Sequence, residues 1–132
     1  MCLIVFSYNQ HKKYKLILAA NRDEFYERPT KAMHYWDAHP QILAGKDLKA
    51  GGTWMGLNKS GRFAALTNYR DPSVRKENPP SRGELVKDFL LADQEAYNYL
   101  KSLNSSAEHY DGFNLLSMAG DGLYHFSNHS NK

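Results

Sequence analysis

The sequence has few of the features that mark disulfide-bonded, metal-rich or membrane-spanning proteins. It contains one cysteine among 132 residues, which excludes an internal disulfide, a cysteine-rich zinc site and a C-x-x-C-H haem attachment. Its first apolar segment, residues 2–8, is too short for a signal peptide or a membrane span. We therefore expect a cytoplasmic protein with no membrane span.

The sequence also has no strong charge of one sign and no phosphate-binding glycine motif. Its 17 basic residues are scattered and outnumber the 14 acidic ones only slightly, giving a net charge of +3, so we expect no nucleic-acid partner. Neither G-x-x-x-x-G-K nor G-x-G-x-x-G occurs, and we predict no cofactor. His34 and His39 have no third ligand near them in sequence, so we predict no metal site either.

What is present is enough for one folded domain. Hydrophobic residues make up 42% of the chain and aromatic residues 13%, which is typical of a globular protein. A length of 132 residues allows one modest core. We therefore treat residues 1–132 as a single domain.

The first 24 residues contain two apolar segments joined by a polar connection. Residues 2–8 and 14–21 predict two adjacent antiparallel strands, with Tyr8 opposite Tyr14 and Cys2 opposite Ala20. Because apolar residues occupy successive positions, we expect both strands to be buried on both faces, in the middle of a sheet. This pairing places Cys2 beside the corner formed by residues 21–23.

Cys2 has the chemistry of a nucleophile if Met1 is removed. A free α-amine has a pKa of about 7.7–8.0, so it can act at neutral pH as the base for a thiol on the same residue. Arg22 would favour the thiolate, and Asp23 could orient the ammonium. The alternative is that Cys2 is a small buried hydrophobe and that Arg22 and Asp23 form a surface ion pair.

The middle of the chain offers further candidates, each with a structural alternative. Residues 25–40 read as a long loop whose aromatic patch either walls a substrate site or is simply anchored by Trp36. Gly51 and Gly52 could let a ligand approach the main chain, or could only make a tight bend. Asn68 ends a predicted strand and could donate a hydrogen bond to an oxyanion, or could begin the next turn.

The second half predicts two helices followed by two strands. Residues 81–84 have the S-x-x-E spacing of a capping box, and apolar residues then recur at helical spacing. A second helix is expected to end near Leu103, and strands follow at residues 113–119 and 123–128. We assign no chemistry to the helices. Strand pairs followed by paired helices indicate an α+β layered fold.

Several motifs together carry a family resemblance. They are Met1-Cys2, Asn21-Arg-Asp-Glu24, Gly51-Gly-Thr-Trp54, Ala64-Ala-Leu-Thr-Asn-Tyr69, Arg82-Gly-Glu-Leu-Val86 and Gly112-Phe-Asn-Leu115. The chain resembles the NRDE family, also called the transport and Golgi organisation protein 2 family. It is more distantly similar to the choloylglycine hydrolase and penicillin V acylase group, which also begins Met-Cys. The resemblance implies an N-terminal-nucleophile-hydrolase-like αββα sandwich.

The resemblance also implies a site. Cys2 takes the nucleophile position, Asp23 orients the amine and Asn68 lies at the oxyanion position. The residues expected to surround a substrate are Asn21, Arg22, Gly52, Thr53 and Trp54. The implied activity is that of an N-terminal-cysteine amidohydrolase acting on a small linear amide or acyl substrate. The alternative is a non-catalytic protein that binds or carries haem or a lipid in the same fold.

Members of the family are about twice as long as this chain. We therefore expect the N-terminal portion of the αββα sandwich, with an open sheet edge through which copies could associate.

Overall fold

The computed structural model describes residues 2–74, 76–120 and 122–129. Within these ranges the chain forms eight strands, two α-helices and one short 3-10 helix. The strands are β1 (Leu3–Tyr8), β2 (Leu16–Asn21), β3 (Thr30–Tyr35), β4 (Ile42–Asp47), β5 (Met55–Asn58), β6 (Phe63–Asn68), β7 (Phe113–Ala119) and β8 (Gly122–Ser127). The helices are α1 (Gly83–Leu91) and α2 (Ala96–Leu103), and the 3-10 helix covers Ala107–His109.

The strands form two antiparallel sheets. β3 to β8 lie side by side in chain order as a six-stranded sheet, while β1 and β2 form a two-stranded sheet of their own. Alternate residues of β6 face opposite sides: Ala64 and Leu66 belong to the main core with both helices, whereas Phe63 and Ala65 pack against the β1–β2 hairpin. The fold is therefore α+β, as predicted, with a six-stranded sheet between a helical layer and a hairpin layer.

The helices supply most of the large side chains of the main core. Leu85, Val86, Phe89 and Leu90 of α1 are all at most 2% exposed. The OH group of Tyr99 on α2 donates a hydrogen bond to the Leu85 carbonyl, which joins the two helices. Over the described ranges, no helix combines the length and the apolarity needed to cross a membrane.

The hairpin forms as predicted but lies in a different place. Its strands are antiparallel neighbours, and Tyr8 pairs with Leu16, two residues from the predicted partner. A shift of two residues leaves the same side chains on each face. The prediction that both strands lie buried in the middle of a sheet is wrong. One face packs on the six-stranded sheet, while Leu3 and Val5 on the other are 58% and 59% exposed.

Part of the predicted loop at residues 25–40 is also a strand. Residues 30–35 form β3, which pairs with β4 at the edge of the six-stranded sheet and has an irregular register between Lys31 and His34. Most of its side chains are exposed, so its sequence lacks the apolar pattern that identifies a buried strand. Trp36, immediately after it, is buried in the main core and donates from Nε1 to the Ala44 carbonyl oxygen at 3.2 Å. Trp36 is therefore the anchor of this segment.

The start of α1 is fixed by backbone packing, not by the predicted capping box. No side-chain hydrogen bond caps the helix; the Glu84 amide donates to the Ser81 carbonyl instead. The Thr53 amide donates to the Gly83 carbonyl at 3.2 Å, and a Cβ on Gly52 would lie 2.6 Å from the Gly83 carbonyl carbon. Two glycines thus allow the turn after β4 to touch the helix directly.

The other end of α1 is held by polar side chains of the β5–β6 hairpin. Arg62 Nε donates to the Phe89 carbonyl at 2.9 Å, and Asn58 Nδ2 donates to the Leu90 carbonyl at 2.8 Å. These bonds satisfy carbonyls that a helix C-terminus leaves without intrahelical partners, and the guanidinium charge suits that end of the helix dipole. Both ends of α1 are therefore tied to the sheet.

The Gly52–Gly83 contact can be tested by adding one methyl group. We expect Gly52→Ala to lower the free energy of unfolding in urea by about 1–3 kcal/mol, because the nearest atoms belong to backbone that must move. Gly120→Ala is the control: no heavy atom lies within 4 Å of its Cβ position, and the change should stay within about 0.5 kcal/mol. Equal stability of the two variants would contradict the contact.

Candidate active site between the two sheets

A cleft of about 350 Å³ lies where the open end of the β1–β2 hairpin meets the six-stranded sheet and the start of α1. Seven of the eight predicted site residues line it: Cys2, Asn21, Arg22, Asp23, Thr53, Trp54 and Asn68. Gly52 is buried against Gly83, which does line the cleft. Segments far apart in sequence therefore meet at one site.

Cys2 is held at the mouth of this cleft by the Asn21–Asp23 corner. The Asp23 amide donates to Cys2 Sγ at 3.3 Å, and Sγ lies 3.9 Å from the Asp23 carbonyl oxygen. Asn21 Oδ1 accepts a hydrogen bond from the Leu3 amide at 2.7 Å, which closes the end of the hairpin. Cys2 is half-buried, so the alternative that it is a core hydrophobe is wrong.

The Asp23 carboxylate is stabilised by positive charge. Its pKa is lowered from 3.8, first by a hydrogen bond from the N-terminal ammonium and then by the charge of that group, with a smaller contribution from Arg70. Slight desolvation acts in the opposite direction. The carboxylate is thus ionised near neutral pH. The N-terminal ammonium of this chain belongs to Met1, so the role that the family resemblance implies for Asp23, orienting the Cys2 amine, stays a prediction.

Arg22 does not form the surface ion pair with Asp23 that was the simpler alternative. Its guanidinium carbon lies 4.1 Å from the centroid of the Trp54 ring, and Nη2 lies 3.8 Å from Glu24 Oε2. A guanidinium over an indole face is attracted by the ring quadrupole. Trp54 and Glu24 therefore hold Arg22 along one wall of the cleft.

Sequence reasoning missed an ion pair that connects two parts of this wall. Arg28 donates from Nε and Nη2 to Asp47 Oδ2 at 2.9 and 2.6 Å, and its Nε is 3.9 Å from Glu24 Oε2. Asp47 Oδ1 also accepts from the Lys49 and Ala50 amides. The pair thus ties the loop after β2 to the turn after β4. Both residues look in the sequence like ordinary surface charges.

Arg82 was also missed, because the helices were assigned no chemistry. It is partly buried and lines the cleft, and its Nη1 donates to the Gly112 carbonyl at 2.8 Å. Its pKa is lowered chiefly by burial; among smaller effects, Arg70 also lowers it, while Asp111, Glu24 and Cys2 raise it. Arg82 therefore lies within electrostatic reach of the thiol. Its place in the Arg-Gly-Glu-Leu-Val motif was the available signal.

A second cavity of about 780 Å³ adjoins the cleft and shares Pro79, Arg82 and Asp111 with it. Its walls include Val74 and Tyr69. A molecule longer than the cleft could therefore extend past Arg82 into this space. Across residues 2–74, 76–120 and 122–129, no three His, Cys, Asp or Glu side chains are grouped closely enough to hold a metal ion.

The family model and the relatives that match this chain all carry the same family name. The model of the family "Transport and Golgi organisation 2" matches residues 1–132. The chain is 44% identical over 124 residues to the Transport and Golgi organization protein 2 homologs of Bos taurus and of Homo sapiens, covering 89% of this chain and 45% of each relative. It is 35% identical to Transport and Golgi organization protein 2 of Drosophila melanogaster over 131 residues, covering 89% of this chain and 46% of that relative. The chain thus spans just under half the length of these relatives.

The Arg28–Asp47 pair predicts a pH-dependent contribution to stability. Desolvation raises the pKa of Asp47, but the hydrogen bonds from Arg28 and two backbone amides outweigh it, so the pKa falls below 3.8. A carboxyl whose pKa is lower in the folded state stabilises the fold above its unfolded pKa, and this stabilisation is lost as the pH falls through the folded pKa.

Asp47→Asn should therefore lower the free energy of unfolding at pH 7 by about 1–3 kcal/mol. The difference from the unsubstituted chain should shrink as the pH drops below about 4, as followed by urea unfolding across pH. Asp37→Asn, which alters an exposed carboxylate, is the control and should show no such trend. A deficit of the same size at pH 7 and pH 3 would show that the ion pair is not its source.

Proposed function

Because the chain belongs to the Transport and Golgi organisation 2 family and places its cysteine in a charged cleft, we propose that it carries the nucleophilic half of an N-terminal-cysteine amidohydrolase. The substrate class is a small linear amide or acyl compound. The observation that carries the proposal is the position of Cys2, whose sulfur accepts a hydrogen bond from the Asp23 amide at the mouth of the cleft. Asn68 lines the same cleft from the end of β6.

The proposed reaction begins after removal of Met1, which makes the α-amine part of Cys2. The amine takes the thiol proton, and Sγ attacks the substrate carbonyl carbon to form a C–S bond. The carbonyl π electrons move to its oxygen, and the Asn68 amide donates a hydrogen bond to that oxyanion. Collapse breaks the C–N bond, and the leaving amine receives the proton from the ammonium.

Hydrolysis of the acyl-enzyme uses the same groups in the reverse direction. The α-amine removes a proton from water, and the resulting hydroxide attacks the thioester carbonyl. The C–S bond breaks, a carboxylic acid is released, and the thiol regains its proton. The Asp23 carboxylate acts through the amine, holding it towards the sulfur, and is a positioning residue.

The layer order supports the finer fold proposal. Helices, six-stranded sheet and hairpin follow one another, as in three successive layers of an αββα sandwich. We propose that the chain forms the N-terminal portion of such an N-terminal-nucleophile-like fold.

A second candidate function is binding without catalysis. The observation in its favour is the cavity of about 780 Å³ that adjoins the cleft, since this volume could hold part of a lipid or a haem. Retention of Met1 would favour this candidate, because the amine would then belong to the wrong residue for the mechanism above. Intact-mass measurement of the purified chain decides that point.

The thiol can be tested with a small electrophile. In Met1-free protein at pH 7, we expect iodoacetamide to alkylate Cys2 faster than free cysteine, because the α-amine of the same residue, positioned by Asp23, can accept the thiol proton as the sulfur attacks. Asp23→Asn should slow alkylation several-fold by releasing the amine, whereas Asp37→Asn should leave the rate unchanged. If labelling is slow and Asp23→Asn does not alter its rate, the amidohydrolase proposal is wrong and binding without catalysis remains as the candidate function.

The oxyanion role of Asn68 can be separated from thiol reactivity. Acylation of Cys2 by a p-nitrophenyl ester passes through a tetrahedral oxyanion, whereas alkylation by iodoacetamide does not. We expect Asn68→Ala to slow acylation about 10²-fold, measured as p-nitrophenol release, with alkylation unaffected. A parallel loss of both rates would show that Asn68 shapes the cleft and does not stabilise the oxyanion.

A further inference from the structure

Two histidines and an asparagine converge outside the cleft, on β7, on β8 and just after β8. His125 Nε2 lies 3.2 Å from Asn114 Oδ1, and His129 Nε2 lies 3.3 Å from the same oxygen. We propose that these three side chains form an open binding site for a divalent transition metal of the Zn²⁺ type. The proposal does not depend on the hydrolase reaction.

The distances suit a shared metal ion. Zn²⁺ binds imidazole nitrogen at about 2.0–2.1 Å and side-chain oxygen at about 2.0–2.2 Å, so neighbouring ligand atoms are separated by about 3.0 Å in octahedral and about 3.4 Å in tetrahedral geometry. The two nitrogen–oxygen distances, 3.2 and 3.3 Å, fall between these values. Two of the three separations between the proposed ligand atoms therefore suit a shared ion. The ion would replace two hydrogen bonds by coordination.

Neighbouring groups hold two of the three ligands in place. Asn114 Nδ2 donates a hydrogen bond to Thr67 Oγ1 at 3.3 Å, and this bond turns Asn114 Oδ1 towards the imidazoles. The His129 ring stacks on Tyr69 with centroids 3.6 Å apart and planes within 7°. Such supporting contacts fix the orientation of metal ligands and typically change affinity 10–100-fold when removed. By contrast, the His34 ring is paired with the carbonyl oxygen of Ala32, two residues away on the same strand.

The position of the site leaves room for exchange with solvent. His125 is exposed on the edge strand β8, so an ion has a direct approach. Three protein ligands leave at least one coordination position for water, as in open zinc sites. His125 and His129 have the H-x3-H spacing that occurs in zinc sites, but the third ligand, Asn114, lies 11 residues earlier, on another strand, and is not a typical zinc ligand, which is why sequence reasoning did not find the site.

The test is calorimetric titration of the whole 132-residue chain with ZnCl₂, in a Cys2→Ser background that removes the thiol as a competing ligand. We expect one ion per chain. His125→Ala and His129→Ala should each weaken binding at least tenfold, and Asn114→Asp should tighten it several-fold, because a carboxylate is the stronger ligand. His34→Ala is the control and should leave the affinity unchanged.

Two outcomes would overturn the proposal. One is the absence of saturable binding below about 1 mM Zn²⁺. A Kd of about 1 mM corresponds to a binding free energy of only about 4 kcal/mol. The other is binding that His125→Ala and His129→Ala leave intact, which would place the ion elsewhere. Because His125 is exposed, its substitution should not disturb folding, and urea unfolding of each variant confirms that the comparison is between folded proteins.

Discussion

The candidate site depends on the packing of a small hairpin against a larger sheet. Ile4 and Leu18 on the inner face of the hairpin pack with Phe63, Ala65 and Leu116 of the six-stranded sheet. An isolated two-stranded hairpin is at best marginally stable in water, so this apolar contact orders β1 and β2 as well as positioning them. Cys2 and Asp23, the proposed nucleophile and positioning carboxylate, lie at the open end of the hairpin, while Asn68 and Arg82 lie on the six-stranded sheet and at the start of α1. Loss of this contact would therefore remove the cleft itself, and not only one of its walls.

Within the part of the molecule formed by the six-stranded sheet and its helices, the cleft depends most on the position of α1. Its first turn touches Gly52 through backbone atoms, and its last turn is bonded by Asn58 and Arg62. Because both ends of α1 are bonded to the sheet, Arg82 at the helix start has a defined position at the edge of the cleft. The alternating charges of Asp47, Arg28, Glu24 and Arg22 then continue along the opposite wall at separations of 2.6 to 3.9 Å. Exposed ion pairs add little stability, but several linked in sequence restrict where each charge can lie.

Local sequence patterns predicted the individual helices and strands better than the contacts between residues that are distant in sequence. The hairpin, both helices and strands β6 to β8 have apolar runs and turn residues that identify them, and they form near the expected positions. Strand β3, at the edge of the six-stranded sheet, lacks an apolar pattern. The placement of β1 and β2 in a separate sheet depends on contacts between residues distant in sequence. For the site, the family motifs identified seven lining residues. Arg28 and Asp47 escaped notice because a charged side chain reads as a surface residue until its partner is known.

The residues that line the cleft come from two parts of the molecule, the β1–β2 hairpin and the six-stranded sheet with its helices. This division matters for a chain that spans just under half the length of its relatives. Cys2 and the groups that the proposed mechanism places beside it come from the first 23 residues; the Asp23 amide donates to Cys2 Sγ, and the Leu3 amide donates to Asn21 Oδ1. In the proposed reaction, the groups that would hold a substrate and stabilise an oxyanion are Asn68, Trp54 and Arg82, which line the other side of the cleft. Under the proposed mechanism, a reactive thiol would need only an ordered hairpin, whereas turnover would need the hairpin docked on the six-stranded sheet. Thiol reactivity and acyl transfer consequently report on two different structural conditions, and only their coincidence indicates an assembled site.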